Sequence, residues 1–331
     1  MPGMKLSTIK MLIANHLNKW IESITDPVVR NIARDNACVS GGAISSALLG
    51  DKVNDYDVYF KTRAAAEAVA RYYVEKYNVA NPPHMRKGIP YTPEVRNEVI
   101  TNIRGEEEDR VVIYMKSAGV AADGQKEYKY YEMASEAAQD EFFEDLETSN
   151  LTGSTMEQAE QLVEISKDKS LFKPVFLSDN AITLSGKIQL IIRFYGDMDA
   201  IHRNFDFVHC HGWYDHSAYS LTLSPAAMEA LLTKTLIYTG SLYPIASVFR
   251  LRKFIARGWR ISAGQILKIL FQISEVNLKD PAILREQLIG VDQAYMSQLL
   301  QAIESDKGKR IDATYIAGLI DSIFDMGMLE S

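Results

Sequence analysis

Apolar residues in the first 80 positions follow two different spacings. From Leu6 to Ile24 they recur every three or four positions, the period of an amphipathic helix. From Val53 to Phe60 they alternate with polar residues, which predicts a β-strand. The other elements predicted here are a helix after Asp26, a strand over 36–40, a helix over 43–49 and a helix from Thr62 to Tyr77.

The pattern is weaker between residues 79 and 225. Four prolines fall within 79–94, and this predicts a loop. Further elements are expected in the order of strands at 110–116 and 127–133, a helix at 155–167, strands at 181–184 and 189–195, a helical turn near 197–203 and a strand at 205–211.

Beyond residue 225 the signals are helical. Ser262 and Gln265 have the spacing of a capping box, and Asp280, Asp292 and Asp312 each precede a further helical segment. We therefore predict a domain of the α+β or α/β class over residues 1–225, followed by an all-helical C-terminal domain over 226–331.

Composition narrows the class of protein. The 331 residues are 47% hydrophobic and carry a formal net charge of −7, which is globular and argues against coating nucleic acid by bulk attraction. Two cysteines cannot build a disulfide framework or a multi-cysteine zinc site. No apolar run approaches the roughly 20 residues of a membrane span. We expect a cytoplasmic protein without membrane contact.

Charge is distributed unevenly along the chain. Residues 131–160 contain acids and no Lys or Arg, so this acidic segment is a candidate surface for a protein partner. Residues 230–274 contain Lys and Arg and no acid. This basic segment would attract a polyanion electrostatically, in contrast to the rest of the acidic chain.

The most informative chemistry lies at Ser40-Gly41-Gly42 and at Asp55 and Asp57. Glycines before a helix let a phosphate approach the backbone and the helix N-terminus. Residues two apart on a strand share a face, so the two carboxylates lie together and repel unless a cation sits between them. Mg²⁺ suits such oxygen ligands. The combination predicts a site for a metal-bound triphosphate.

This arrangement resembles the nucleotidyltransferase superfamily of DNA polymerase β, poly(A) polymerases and CCA-adding enzymes. The segment from Gly41 to Tyr59 is most similar to the tRNA nucleotidyltransferase and poly(A) polymerase branch. The resemblance implies a mixed-sheet catalytic domain, and it covers about 38–60 well and 182–215 and 244–260 moderately. Residues 105–180 have no match and are expected to be an insertion.

The resemblance also implies a third carboxylate, for which Asp206 in the predicted strand is the best match. Asp55, Asp57 and Asp206 would then be the catalytic and metal-binding residues, holding two Mg²⁺ ions, with Mn²⁺ as the substitute. Asp197 and Asp199 compete for this role, but their turn-like segment favours a helix cap.

A second similarity runs from Pro244 to Gly258, where the related enzymes have a helix with Arg-x-x-Arg-Phe. Here Arg250, Lys253 and Arg257 are expected on one face, with Ser40, Gly41 and Gly42 as the other nucleotide and phosphate ligands. The nucleotide would be ATP or CTP. A surface helix whose arginines only cover apolar neighbours is the simpler alternative.

The leading functional hypothesis is transfer of a nucleoside monophosphate to an RNA 3′ end, as in tRNA processing, with release of pyrophosphate. Many CCA-adding enzymes have Arg-Asp where this chain has Ser45-Ser46, so the acceptor stays open. Nucleotidylylation of a protein or small molecule fits the motif equally well. A binding or assembly protein that lost the reaction is a third hypothesis. A zinc site among His209, Cys210 and His211 is disfavoured because strand residues alternate in direction.

Overall fold

The computed structural model describes residues 3–80, 92–102, 105–114, 132–133 and 172–278, together with the single helical positions 283, 287, 314, 315 and 318. The chain divides into two compact units. The first comprises 1–101, 106–203 and 209–231, and the second comprises 102–105, 204–208 and 232–331. The domain boundary predicted at residue 225 stays a prediction.

Six helices are described in the first unit, and the early ones follow the predicted pattern. Asp26 caps the second helix by accepting hydrogen bonds from the N–H groups of Val28 (2.7 Å) and Val29 (3.1 Å). Gly50 ends the third helix in a left-handed conformation, with a φ of 74°. The helices are α1 (Leu6–Ser23), α2 (Pro27–Asn36), α3 (Gly42–Leu49), α4 (Arg63–Ala80), α5 (Met198–His202) and α6 (Pro225–Thr233).

A mixed sheet, eight-stranded in the described residues, organises this unit in the order β10-β9-β1-β2-β8-β7-β6-β5. Its neighbours are antiparallel except for β2 and β8, which run parallel. The predicted α+β class with a mixed sheet is confirmed. The strands are β1 (Ala37–Ser40), β2 (Tyr56–Phe60), β5 (Glu132–Met133), β6 (Pro174–Leu177), β7 (Ala181–Leu184), β8 (Ile188–Tyr195), β9 (Gly212–Asp215) and β10 (Ser220–Leu223).

The core of the first unit contains apolar residues of both the helices and the sheet. Tyr56, Val58 and Phe60 of β2 belong to it, so alternate residues of this strand face the same side. Trp20 of α1 donates its indole N–H to the hydroxyl of Tyr73 on α4 at 2.8 Å, which satisfies both buried polar groups. Because the core takes one face of β2, the residues between these three are directed to the other face.

β3 (Glu94–Thr101) and β4 (Glu107–Tyr114) form an antiparallel hairpin that is a separate two-stranded sheet. It is joined to β8 by the buried Arg193, whose guanidinium donates to both carboxylate oxygens of Glu108 at 2.8 and 3.1 Å. A two-point contact of this kind sets the orientation of both partners. The strand predicted at 110–116 is thus present, but it begins three residues earlier.

The second unit contains α7 (Pro244–Ala256) and α8 (Ala263–Ser274). It also contains a short parallel pair, β11 (Thr235–Leu236) with β12 (Arg260–Ile261), which the all-helical expectation did not include. The capping box predicted at the start of α8 was wrong. Ser262 makes no side-chain cap, and Gln265 instead accepts a hydrogen bond from the backbone N–H of Tyr238 at 2.8 Å.

The strand predicted at 205–211 was also wrong. Val208–Cys210 form a short 3₁₀ helix, and the next strand begins only at Gly212. The backbone of Val208 donates to Ile237, and that of Thr239 donates to Asp206, so this segment pairs locally with residues 237–239. Phe205 and Phe207 alternate with polar residues as they would in a strand. In the structure Phe207 is buried at a single β-bridge with Tyr238 and not in a continuous strand.

Several predicted elements lie outside the described residues. They are the helix at 155–167, most of the strand at 127–133, the loop core at 81–91, most of the acidic segment 131–160, and most of the helices expected after Asp280, Asp292 and Asp312. In the part of the chain that is described, none of the helices is long and apolar enough to cross a membrane.

Candidate active site: a glycine turn against a carboxylate

The candidate site is centred on the turn between β1 and α3. Gly41 has a φ of 95° and a ψ of −150°, a conformation that side-chain-bearing residues rarely adopt. A Cβ built on Gly41 would lie 3.0 Å from Oδ2 of Asp57. The carboxylate of Asp57 therefore lies directly against the turn, and glycine leaves room for it.

Strand register explains how Asp57 reaches the turn. In the antiparallel pair β1–β2, Ser40 is opposite Asp57, and Val39 is opposite Val58. Because Val58 faces the core, Asp57 and Ser40 share the opposite face of the sheet. Asp57 is half-buried, whereas Asp55 is exposed and precedes the first residue of β2 by one position. The predicted strand start at residue 53 was three residues too early.

The first turn of α3 offers backbone donors beside this carboxylate. Gly41 is the N-cap residue and has no side chain to cap the helix, which begins at Gly42. The N–H groups of residues 42–44 have no partner within their own helix, since the first turn of any α-helix lacks acceptors. These donors and the positive end of the helix favour a bound anion.

The segment 209–212 holds the turn from the other side. Three hydrogen bonds join the two segments, from Gly41 N to the Cys210 carbonyl (3.3 Å), from Ser40 Oγ to that of Gly212 (2.6 Å) and from Ser45 Oγ to that of His209 (2.8 Å). A Cβ built on Gly212 would lie 2.7 Å from Cγ2 of Ile44, so glycine is needed for this close packing too. The turn is therefore fixed without any ligand.

Sequence reasoning missed His202, which lies at the end of α5. Its Nε2 is 2.9 Å from Oγ of Ser40, 162 residues away in the chain. The imidazole stacks on His211 with 4.6 Å between ring centroids and meets the edge of Trp213. Burial, reinforced by the neighbouring His211, lowers the pKa of His202 to about 4, so the ring is neutral at neutral pH. No local pattern could have indicated this contact.

Asp206 and Arg250 contact each other within the second unit. Nε of Arg250 donates to Oδ2 of the buried Asp206 at 2.6 Å. One residue predicted as a metal ligand is thus paired with one predicted as a phosphate ligand. Whether Asp206 joins Asp55 and Asp57 at one site stays a prediction. Asp197, the competing acid, caps α5 by accepting from the N–H of Ala200 at 2.9 Å.

The other predicted cations lie near the end of α7. Lys253 is in its last turn and Arg257 directly follows it, and both side chains are exposed. Val248 and Ile255 of the same helix are 40% and 50% exposed.

The side chains of the described residues limit where a metal ion could bind. Across the described residues, no three His, Cys, Asp or Glu side chains form a group that could hold a metal ion. Asp215 is engaged by Lys61, with 2.7 Å between Oδ2 and Nζ, and so belongs to an ion pair. Asp57, which lies against the glycine turn, has the carboxylate oxygens that Mg²⁺ prefers. Phosphate oxygens bound at the turn would supply further ligands.

Fold and site together define an α+β protein with a glycine turn that has a carboxylate packed against it. The family model of the Gabija anti-defense 2 family proteins matches residues 11–234, and the chain belongs to this family. The match includes the turn, Asp55, Asp57 and Asp206, and it ends before α7. Sequence reasoning had pointed to nucleotidyltransferases and did not foresee this family.

Proteins similar to the chain include a phage protein and a CCA-adding enzyme. Gabija anti-defense 2 of Bacillus phage SPbetaL7 is 24% identical over 107 residues, which are 32% of this chain and 27% of that protein. The aligned part is therefore about a quarter of the relative's length. The Thermotoga maritima CCA-adding enzyme complexed with tRNA_CCA has a TM-score of 0.36 and 12% identity, covering 87% of this chain and 53% of the enzyme. A TM-score this low carries no inference.

Proposed function

We propose that this protein is a Mg²⁺-dependent nucleotidyltransferase that moves a nucleoside monophosphate from a nucleoside triphosphate to an acceptor hydroxyl. The observation that carries the proposal is the contact of Asp57 with the turn at Gly41. The first N–H groups of a helix suit a triphosphate, and a carboxylate beside them would repel that triphosphate unless a cation lay between them. The two features make chemical sense together when a metal–nucleotide complex is the ligand.

The proposed reaction is a substitution at the α-phosphorus. A bond forms from the acceptor oxygen to this phosphorus, the bond to the bridging oxygen breaks, pyrophosphate leaves with the electron pair, and the hydroxyl proton passes to water. Bound Mg²⁺ would supply charge neutralisation and a lowered pKa for the attacking hydroxyl. Asp55 and Asp57, with Asp206 as the proposed third carboxylate, would hold the cations, and Ser40, Gly41 and Gly42 would place the phosphates.

RNA is the first candidate acceptor. Lys253 and Arg257 at the end of α7 are exposed cations and suit a phosphate backbone. Arg250 is less available, because Asp206 already accepts its hydrogen bond.

A component of the Gabija defence is the second candidate, and the family membership favours it. An anti-defence protein can act by attaching a nucleotide to a protein of the defence, or by binding that protein without chemistry. The acidic segment 131–160 would suit a protein partner. In both versions the acceptor or binding partner is a protein and not RNA.

The test is a labelling experiment with purified full-length protein, Mg²⁺ and each α-labelled nucleoside triphosphate in turn. Bulk tRNA and purified Gabija proteins serve as separate acceptors. Label on RNA supports the first acceptor, and label on a Gabija protein supports the second. Asp57→Asn should lower transfer by about a thousandfold or more because the cation loses a charged ligand.

The matched control is Asp51→Asn, which removes an exposed carboxylate from the same connection between α3 and β2. It should leave transfer unchanged. In cells that carry the Gabija defence, Asp57→Asn should abolish any protection the wild-type protein gives. Full protection by this variant, with no label on any acceptor, would overturn the proposal and favour a binding protein that lacks the reaction.

A further inference from the structure

We propose that His202 is a positioning residue for the phosphate-binding turn and that it acts through the hydroxyl of Ser40. This inference rests on the proposed function, because it assigns a task at the same site. His202 lies on α5, and its imidazole reaches the last residue of β1. His202 also hydrogen-bonds the backbone of Gly212, and its bond to Ser40 is the contact that reaches the residue before Gly41.

The direction of the hydrogen bonds follows from proton counting. Ser40 has a single hydroxyl proton, which it donates to the carbonyl oxygen of Gly212 at 2.6 Å. Nε2 of His202 lies 2.9 Å from Oγ of Ser40 and is then the donor to that oxygen, and the ring also hydrogen-bonds the backbone of Gly212. Ser40 thus accepts from one side and donates to the other. Its hydroxyl has one orientation, and this links α5 to β9 through the residue before Gly41.

The imidazole itself is firmly held. His202 is 8% exposed, stacks on His211 at an interplanar angle of 20° and meets Trp213 edge-on. The carboxylate of Asp197 caps the helix that carries it. A ring fixed by packing on two sides can fix its hydrogen-bond partner in turn. Such support from outside the site sets the precision of the groups that contact substrate.

The site gains a defined turn geometry from this arrangement. Ser40 is opposite Asp57 in the strand register and is bonded covalently to Gly41, so any displacement of Ser40 changes the distance between the turn and the carboxylate. Loss of the His202 donor should widen the range of positions that Gly41 samples. The nucleotide would then bind more weakly, and the Michaelis constant should rise more than the turnover number falls.

The test compares His202→Leu with His202→Gln. Glutamine can place an N–H near the position of Nε2, whereas leucine fills similar volume without a donor. We expect His202→Leu to lower kcat/KM about tenfold or more, mainly through KM, and His202→Gln to restore most of it. Equal impairment in both variants, or no impairment in either, would overturn the proposal.

Ser40→Ala provides a second route to the same answer if the leucine variant does not fold. This substitution removes the hydroxyl with little change in volume, and the pair Ser40→Ala with His202→Met, which lacks a donor, should be no worse than Ser40→Ala alone. Independent additive effects would contradict a chain of action through Ser40.

His16→Leu is the matched control for loss of a buried histidine. Its Nε2 lies 2.8 Å from the carbonyl oxygen of Gly186, and its ring packs on Tyr56 on the core side of β2. This variant should lose stability and keep the KM of the folded protein. A rise in KM equal to that of His202→Leu would show that general loosening explains both.

Hydrogen exchange separates this inference from the proposed function. The amides of residues 41–46 should lose protection in His202→Leu and regain it in His202→Gln, whether or not any acceptor is labelled. If the wild-type protein transfers no nucleotide but exchange follows this pattern, the proposed function fails and the positioning role stands. If transfer is present and exchange at 41–46 is the same in all three proteins, the positioning role fails alone.

Discussion

The glycine turn and helix α7 were both predicted to bind the triphosphate, and the structure builds them in different ways. At the turn, strand register sets Ser40 opposite Asp57, and Gly41 lies against the carboxylate. On α7, Arg250 is paired with Asp206 in the second unit. The turn is thus held by strand register and by hydrogen bonds to the segment 209–212, whereas α7 holds Arg250 in an ion pair.

This difference separates two kinds of candidate ligand. The turn needs no rearrangement to receive a phosphate, because its fixed groups are backbone donors. Arg250 would have to exchange a buried carboxylate for a phosphate, and that carboxylate is itself a proposed metal ligand. We therefore expect the turn to tolerate little change in shape and α7 to tolerate changes at its exposed cations.

Acid should destabilise the first unit through the buried His16. Burial lowers the pKa of His16, which packs behind β2, to about 4 from its usual value near 6.5. Below pH 6.5 His16 is protonated in the unfolded chain but stays neutral in the folded chain. The free energy of unfolding is therefore highest above pH 6.5 and falls as the pH drops toward 4. The expected loss is about 3 kcal/mol from this group.

Urea unfolding of the full chain at pH 7 and pH 4.5 measures this loss. His16→Gln should reduce the difference by about the share of His16, because glutamine does not titrate and can still donate to Gly186, while the share of His202 remains. An equal pH dependence in the variant and the wild-type protein would assign the effect to other groups.

Gly41→Ala should destabilise the protein by about 2 kcal/mol, since a positive φ and a contact at 3.0 Å with Asp57 both oppose a side chain. Gly42→Ala is the matched control for stability. A Cβ at Gly42 meets nothing within 4 Å, so this neighbour should be neutral or slightly stabilised by better helix propensity. Thermal unfolding checks both, and equal effects would mean that the turn is less constrained than its geometry indicates.

Arg250→Met should cost about 1 to 2 kcal/mol by leaving the carboxylate of Asp206 buried without its cation. Arg257→Met removes an exposed cation just beyond the same helix and should change stability little. Chemical denaturation compares the two variants. A cost at Arg257 as large as that at Arg250 would remove the distinction between the paired and the exposed cations of α7.

The sequence was most informative where the decisive residues are close in the chain. The order of strand, glycine turn, helix and strand between Ala37 and Phe60 was predicted with small boundary errors, because periodicity and capping act locally. The same local reasoning identified α7 and the cap at Asp197.

Contacts between distant segments could not be predicted in this way. Nothing near His202 indicates that it will meet Ser40, and the pairing of Arg250 with Asp206 joins residues 44 positions apart. The strand wrongly predicted at 205–211 is a further example. Alternating apolar residues indicate that one side of a segment is buried, but they do not show which other segment covers it. Long-range packing decided each of these cases.

The most direct test of the central claim is a crystal structure of the full chain with Mn²⁺ and a non-hydrolysable nucleoside triphosphate. The anomalous signal of Mn²⁺ locates the cation independently of the nucleotide. We expect Mn²⁺ at Asp55 and Asp57, with the triphosphate on the turn formed by Gly41 and Gly42. A nucleotide bound elsewhere, or a turn that stays empty of both at saturating concentrations, would contradict the assignment of this protein as a nucleotidyltransferase.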